Sequence, residues 1–278
     1  MPFTFFAHQV PVLPLKMAAP DRWDGTALVV GSIMPDLWYV TSGWLYGPAG
    51  IELWIDGHQL NSLIPFCILP GLVMVGLIRR VVAPVVSAAL PKGGFLRLRD
   101  YRLLAFAHHR WWVTVYSLAI GWFSHVFLDA FTHNDGYFVE NWSALQTSLL
   151  TIGGRNVTIY RLLQYGGHVF GSIAGAYLLL VVSRRKLQWT WHGFATRPAD
   201  PVVRAPGVAV IRGVLAGGLV LGLAYGALRA GDGLVVSFMA LVWVMFGAVV
   251  VAGLVGRRYV EPLVPPEPSL PLPVIPGG

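Results

Sequence analysis

The sequence is poor in charge and nearly free of cysteine. Charged residues make up 12% of the 278 positions, whereas hydrophobic residues make up 55%, and the mean hydropathy is +0.63. Soluble globular domains carry about 25% charged residues, so the composition excludes that class and predicts a multi-pass membrane protein. The single cysteine, Cys67, excludes an intrachain disulfide and lies in an apolar run, where we expect a small core residue.

The formal charge of +7 does not indicate a nucleic-acid partner. The basic residues stand in short groups beside apolar runs, notably Arg79–Arg80, Arg184–Lys186 and Arg257–Arg258. Such groups mark the cytoplasmic ends of membrane spans. We therefore expect a lipid bilayer as the partner and no nucleic acid, and the sequence predicts no oligomeric state.

The apolar pattern predicts an all-α, polytopic helical membrane protein with about five or six spans. These spans are 27–46, 60–77, 111–131, 162–182, 207–228 and 234–255. Gly31, Pro35 and Asp36 interrupt the first of them, which predicts a broken or re-entrant helix in which Pro35 opens the second piece. The predicted domains are a membrane-embedded domain over 1–200, a two-helix hairpin over 201–258 and a Pro-rich, disordered tail over 259–278.

Four groups that can bind a metal crowd into eleven residues at the end of the span 111–131. They are His125, Asp129, His133 and Asp135. On a helix the first two lie about 40° apart, so both can reach one ion. Asn134 to Gly136 is typical of a helix stop, which would free His133 to turn inward. Ionisable groups in a membrane span indicate function, and the alternative is a set of polar caps at the membrane interface.

Charge also predicts on which side of the membrane this cluster lies. If the basic groups are cytoplasmic, then His58, the His125 to Asp135 cluster and His168 all lie at the outer ends of their spans. We therefore predict a multi-pass protein of the bacterial cytoplasmic (inner) membrane with an extracytoplasmic site. His108 and His109 precede His125 by about 25 Å of helix and cannot share its site. His168 is expected to pack beside the site rather than to bind metal.

Four separated motifs resemble an uncharacterised family of bacterial membrane proteins known as a domain of unknown function. They are Met1-Pro2-Phe3-Thr4 with His8, Gly31-Ser32-Ile33-Met34-Pro35-Asp36, His58 before a span, and Ser124-His125-x-x-x-Asp129-x-Phe131-Thr132-His133-x-Asp135-Gly136. The resemblance covers residues 1–185 and leaves the last two spans and the tail outside.

The same order of motifs also looks like the inner-membrane metal-dependent hydrolases once described as LexA-binding. More remotely it is similar to the zinc-dependent phospholipase C superfamily. These resemblances imply six metal ligands: His8, Asp36, His58, His125, Asp129 and His133. They imply a cofactor of one to three ions of zinc or another divalent transition metal. The sequence departs from the hydrolases at their His-Arg-Gly-x-Thr-His-Ser segment, of which only His58 before Asn61-Ser62 remains.

The chemistry of these side chains supports the same type of site. Imidazole nitrogens and carboxylate oxygens suit zinc or manganese. Asp135 and His133 are the candidate catalytic residues, with Asp135 acting as a general base or orienting a ligand histidine. The predicted function is an integral membrane hydrolase, similar to a phosphodiesterase or phospholipase C, acting on a phospholipid or lipid-linked substrate at the outer leaflet. The alternative is a non-catalytic metal-binding transporter or scaffold.

Overall fold

The computed structural model describes residues 6–49, 57–92, 94–195 and 199–264. Helices account for nearly all of the regular structure in these ranges, and one two-stranded β-hairpin accompanies them. The predicted all-α class is therefore confirmed. The motif Met1–Thr4 and the last part of the predicted Pro-rich tail, residues 265–278, lie outside the described residues.

The elements follow one another along the chain with short connections. The α-helices are α1 (Leu13–Ala18), α2 (Gly25–Ala49), α3 (Leu69–Leu77), α4 (Ala83–Ala89), α5 (Trp111–Thr132), α6 (Tyr137–Asn141), α7 (Ser143–Gln146), α8 (Ile159–Gly166), α9 (Ser172–Arg184), α10 (Leu187–Thr190), α11 (Gly207–Leu228) and α12 (Leu234–Gly256). The strands are β1 (Ser148–Ile152) and β2 (Arg155–Thr158). The 3-10 helices are Ala7–Gln9, Leu60–Ser62, Leu98–Phe106 and Ala230–Asp232, and the π-helical turns are Leu63–Ile68, Ile78–Val82 and Gly167–Gly171.

Four helical stretches are long and apolar enough to cross a membrane. They are Leu60–Ala89, Trp111–Asn141, Ile159–Arg184 and Gly207–Leu228, and two shorter apolar helices are Gly25–Leu37 and Ala240–Gly256. These six correspond to the six predicted spans. One predicted boundary is wrong, because the helix from Leu60 continues past Arg79 and Arg80 to Ala89. A π-helical turn carries the chain through both arginines, whose long side chains can reach polar surroundings from within a helix.

The expected break in the first apolar helix is also wrong. α2 runs from Gly25 to Ala49 without interruption, although Pro35 stands in its interior. Proline cannot donate to the carbonyl four residues earlier and crowds the preceding turn. Membrane helices tolerate this where neighbouring side chains bond to the carbonyls of that turn. Here the ring of His125 contacts the Ser32 carbonyl within that turn.

α2 and α5 approach each other so closely that their backbones touch. A Cβ atom on Gly31 would lie 2.2 Å from the Leu118 carbonyl oxygen, and one on Gly121 would lie 2.4 Å from the Leu28 carbonyl oxygen. Only glycine fits at both positions. Small residues that allow such contact are the usual basis of helix packing in membranes. The contact brings Asp36 on α2 to the level of His125 on α5.

A buried carboxylate fixes the start of α2 against α5. Asp24 accepts hydrogen bonds from the Ala27 backbone N–H at 3.1 Å and from the Thr114 hydroxyl at 2.7 Å. Its own backbone N–H donates to the Ser117 hydroxyl at 3.1 Å. Asp24 therefore acts as the N-cap of α2 and also sets the register of α2 along α5.

The chain divides into two compact units. The first contains 1–76, 109–179 and 219–245, and it holds α5 together with the β-hairpin. The second contains 77–108, 180–218 and 246–278, and in its core Val85 and Ala89 pack with Ile211 and Ala252. The predicted domain boundaries at residues 200 and 258 stay a prediction, because these units join segments that are distant in sequence.

The connection between α5 and α8 contains regular structure of its own. It contains α6, α7 and the hairpin, in which β1 pairs antiparallel with β2. A small core of Val139, Leu145 and Tyr160 underlies it. Gly153 and Gly154 form the turn and have positive φ angles of 55° and 75°, a conformation that favours glycine. The two glycines between apolar runs are the signal that predicts such a hairpin.

Candidate metal centre

α5 places two of the predicted ligands one turn apart on its buried face. His125 is fully buried and Asp129 is nearly so. His125 Nε2 lies 3.2 Å from Asp129 Oδ2. The helical spacing therefore brings the two side chains together as the sequence predicts.

α2 adds a second buried carboxylate to the same point. Asp36 Oδ1 lies 3.7 Å from His125 Nε2, and Asp36 is buried. The sequence places no Lys or Arg within ten residues of Asp36. Burying carboxylates without a compensating cation is costly, so a cation near Asp36 and Asp129 would stabilise this site.

The contact between His125 and Ser32 determines which nitrogen of His125 is free to bind an ion. His125 Nδ1 lies 2.7 Å from the Ser32 carbonyl oxygen. A carbonyl only accepts hydrogen bonds, so Nδ1 carries a proton, and a neutral ring in this orientation has its lone pair on Nε2. That nitrogen is buried and makes no well-aligned hydrogen bond among the described residues, although Asp129 Oδ2 lies 3.2 Å away. A carbonyl that holds one ring nitrogen while the other faces an ion is the usual arrangement of a metal-binding histidine.

His58 approaches the same carboxylate from the chain that leads into the next span. Its Nε2 lies 3.3 Å from Asp129 Oδ2, and its ring centroid lies 5.4 Å from that of His125. The preceding Gly57 carbonyl accepts hydrogen bonds from the Ser62 hydroxyl and the Trp122 indole N–H. These two bonds hold the turn that carries His58 against α5.

His8 reaches the site from the 3-10 helix Ala7–Gln9. Its ring stacks on that of His125 with a centroid distance of 3.8 Å, and its Nδ1 is buried without a hydrogen-bond partner among the described residues. Burial, together with the neighbouring His125, lowers the pKa of His8 from 6.5 to about 3. The ring is therefore neutral near pH 7, which is the form that binds metals.

Five of the six predicted ligands thus cluster around His125, and we call this cluster the candidate metal centre: His8, Asp36, His58, His125 and Asp129. Donor atoms of His8, Asp36 and His125 lie within 4.8 Å of one another, and so do those of His58, His125 and Asp129. The donors are imidazole nitrogens and carboxylate oxygens, a set that suits zinc and other divalent transition metals. Two of the nitrogens lack hydrogen-bond partners among the described residues, so these residues fit a bound ion.

His133 lies beside this centre and touches it through Asp129. α5 ends at Thr132 and His133 has extended backbone angles, so the predicted helix stop does turn the side chain inward. His133 Nδ1 lies 3.5 Å from Asp129 Oδ1, and its Nε2 lies 3.3 Å from the Gln164 amide nitrogen. Both ring nitrogens therefore contact protein groups, an arrangement that suits a residue orienting Asp129.

Asp135 and His168 lie near the cluster but outside the two groups of donor atoms. Asp135 is exposed on the turn after α5 and interacts electrostatically with His133. His168 lies on the π-helical turn Gly167–Gly171 and interacts electrostatically with Asp36 and Asp129. His168 belongs to neither donor group, which agrees with its expected place beside the site.

Three contacts around the centre are not evident from the sequence. The Ser32 carbonyl and Gln164 each hold a histidine ring. Gly175 packs against the Phe6 carbonyl, where a Cβ atom would lie 2.2 Å from the oxygen, and this contact fixes the segment that carries His8. A backbone acceptor and a close helix contact leave no residue-type signal. Gln164, one turn before His168 on an amphipathic helix, is the one of the three that spacing could have suggested.

The histidines outside the centre have separate partners. His109 Nε2 lies 3.4 Å from the Lys16 ammonium group, and His192 Nδ1 donates to the Gln188 carbonyl at 2.7 Å. His108 is exposed. None of the three belongs to a donor group, which for His108 and His109 agrees with their predicted separation from the site.

Comparison with known proteins gives one match. A family model described as Domain of unknown function (DUF4184) matches residues 1–256. The match extends past residue 185, so the expectation that the last two spans lie outside the family is wrong. No curated protein and no solved structure matches the chain.

Proposed function

The chain belongs to the DUF4184 family, and we propose that it is an integral membrane, metal-dependent hydrolase. Its proposed substrate is a phosphoester, such as a phospholipid or a lipid-linked compound. The observation that carries the proposal is the orientation of His125. His125 Nδ1 donates to the Ser32 carbonyl oxygen at 2.7 Å, and His125 Nε2 lies 3.2 Å from Asp129 Oδ2.

This orientation supports a cation in the centre. Neutral histidine rings do not offset the charges of the Asp36 and Asp129 carboxylates, so with neutral rings and no ion the centre would bury negative charge without a cation. Such charge costs several kcal/mol in a membrane protein. A divalent ion would be held by His8, Asp36, His58, His125 and Asp129, and we propose zinc or another divalent transition metal, with one to three ions.

When bound, the ion would supply a Lewis acid that offsets the negative charge of a phosphoester. The chain's own groups would perform the remaining tasks. His133 orients Asp129 through the contact between Nδ1 and Oδ1, and Gln164 holds the opposite side of the His133 ring. Asp135, exposed on the adjoining turn, is the proposed general base, because an exposed carboxylate can take up a proton and exchange it with solvent.

The positions of the basic groups support an extracytoplasmic site. α5 begins directly after Arg110 and carries its ligands near the opposite end, with His125 about 10 Å from that end. The helical stretch from Ile159 ends at Arg184, which is followed by Arg185 and Lys186. By the positive-inside rule these basic ends are cytoplasmic. We therefore propose a bacterial cytoplasmic (inner) membrane protein whose centre opens toward the outer leaflet.

Metal analysis combined with an activity screen tests this function. The purified protein should contain a divalent transition metal and should release phosphate-bearing products from a panel of phospholipids and lipid-linked phosphodiesters. Chelation and Asp129→Ala should remove both properties. His108→Ala is the matched control, because His108 is exposed and lies outside the centre, and it should retain both.

The two results separate the proposed function from its alternative. Protein that binds metal but hydrolyses no phosphoester in the panel would favour a metal-binding scaffold or transporter. The proposal would be overturned if neither the unmodified protein nor the His108→Ala control bound a divalent metal.

A further inference from the structure

The β-hairpin is held close to the membrane surface by the chain on both sides. Two candidate spans flank it, one ending at Asn141 and the next beginning at Ile159. Residues 142–158 must therefore leave the bilayer and return to it within a short distance. A five-residue strand extends only about 17 Å, so the hairpin cannot reach far into the aqueous phase.

The two faces of the hairpin differ in polarity. Leu150 pairs with Val157 across the strands, whereas Thr151 pairs with Asn156. The Thr151 hydroxyl donates to the Asn156 side-chain oxygen at 2.9 Å. Because successive residues of a strand point to opposite faces, Leu150 and Ile152 lie on one face and Thr151 lies on the other. Arg155, which pairs with Ile152 beside the turn, shares the face of Ile152, and Leu149 stands at a bulge between Ser148 and Leu150.

Among the residues that the structure describes, none covers the face of Leu150 and Ile152. Leu150 is 48% exposed and Ile152 is 67% exposed. An isolated two-stranded hairpin is at best marginally stable in water, so a medium that covers this face would stabilise it.

Aromatic side chains continue from the end of the membrane span to Trp142, in the segment that precedes the hairpin. The rings of Phe127, Phe131, Phe138 and Trp142 form a continuous series of contacts, with Phe131 and Phe138 stacked at 4.1 Å and Phe138 and Trp142 at 4.9 Å. Tyr137 is 68% exposed and Trp142 is 52% exposed. Tryptophan and tyrosine are enriched where membrane proteins cross the lipid headgroups.

A hydrogen-bond network fixes the hairpin to the end of the span. The Arg161 guanidinium group donates to the Asn156 carbonyl at 3.1 Å and to the Tyr160 hydroxyl at 3.2 Å. That hydroxyl donates in turn to the Asn134 side-chain oxygen at 3.1 Å. The orientation of the hairpin is thus coupled to the turn that follows His133.

We propose that the hairpin, together with Tyr137 and Trp142, is an interfacial membrane anchor whose apolar face is inserted among the lipid headgroups and upper acyl chains. Its partner is the lipid bilayer itself. The anchor holds the turn at Asn134 at the depth of the headgroups. The inference is independent of the proposed hydrolase, since it concerns the position of this loop and not the chemistry of the centre.

Site-directed fluorescence in lipid nanodiscs tests the anchor. In a Cys67→Ala background, which removes the single buried cysteine, an environment-sensitive NBD label is attached to Ile152→Cys or, as the matched control, to the adjacent Thr151→Cys. We expect blue-shifted emission from the label at 152 and at least threefold stronger quenching by lipids that carry a nitroxide near the headgroup. The label at 151 should behave as in water.

Two outcomes would overturn the proposal. Equal, water-like signals from both positions would place the hairpin outside the bilayer. The second outcome is efficient disulfide cross-linking of Ile152→Cys between two copies of the chain, together with no quenching by labelled lipid. It would show that a second copy covers the face instead. A hydrolase assay on the same nanodiscs reports separately on the metal centre.

Discussion

His125 on α5 donates its Nδ1 proton to the Ser32 carbonyl on α2, at 2.7 Å. This bond links the packing of two helices to the chemistry of one ring, because it determines which nitrogen faces Asp36 and Asp129. It crosses the interface where α2 and α5 are in backbone contact at Gly31 and Gly121. The stability of the fold and the capacity to bind metal should therefore change together when that contact is disturbed.

Gly121→Ala should damage both the fold and the centre. The added methyl group would lie 2.4 Å from the Leu28 carbonyl oxygen, and overpacking of this kind costs about 1–3 kcal/mol. We expect a thermal midpoint several degrees lower in detergent and a reduced metal content. Gly76→Ala is the control, since a Cβ atom there meets nothing within 4 Å, and its midpoint should be unchanged or higher.

Asp24→Ala should destabilise the protein without touching the centre. The change removes the cap of α2 and the hydrogen bond from Thr114, at an expected cost of about 2 kcal/mol or more. Thermal unfolding of the metal-free protein would show the loss. Asp21→Ala provides the comparison because Asp21 is exposed. Equal midpoints for the two variants would show that the Asp24 network contributes little.

His125 and His133 should differ in how strongly they affect metal binding. His125→Ala removes a ligand of the candidate metal centre and should abolish stoichiometric metal. His133→Ala removes only the contact that orients Asp129, and losses of such partners lower metal affinity by about 10- to 100-fold. Competition with a chromogenic chelator measures both. If His133→Ala lost metal as completely as His125→Ala, His133 would be a ligand, as the family resemblance implies.

Cysteine accessibility tests on which side of the membrane the site lies. In intact cells, a membrane-impermeant maleimide should label a cysteine introduced at Asn141 and should not label one at Lys92. Both positions are exposed, so the difference reports the side of the membrane rather than burial. Labelling at residue 92 alone would place the centre on the cytoplasmic side and exclude a substrate in the outer leaflet.

The sequence predicted the local part of the site better than its long-range part. The spacing of His125 and Asp129 was sufficient to place both side chains at one point, because helical geometry fixes neighbours one turn apart. His8, Asp36 and His58 could be assigned only through a resemblance to a family. Their approach depends on contacts between distant segments, such as Phe6 with Gly175, for which one sequence offers no periodic signal.

The errors in the predicted fold also have physical causes. Pro35 and the pair Arg79–Arg80 are usual helix-stop signals, but α2 continues through the first and the helix from Leu60 continues through the second. At Pro35, the contact of His125 with the preceding turn compensates for the tendency of proline to end a helix. At Arg79 and Arg80, the long side chains can reach polar surroundings while the helix continues. The glycines of α11 show a similar limit: a Cβ atom on Gly222 would meet Leu241, whereas one on Gly213 or Gly217 would meet nothing within 4 Å. Spacing alone cannot tell which of several small residues faces a neighbouring helix.

Anomalous diffraction at the absorption edge of the metal, from crystals of the purified protein, tests the central claim most directly. The account predicts an anomalous peak at the candidate metal centre, with His125 Nε2 about 2.0–2.1 Å from the ion and Nδ1 still bonded to the Ser32 carbonyl. Asp129 and Asp36 should bind the same ion or a neighbouring one. The test uses protein that is purified without chelator and then supplied with zinc. The account would be contradicted if such crystals showed no anomalous peak and His125 Nε2 donated a hydrogen bond directly to Asp129.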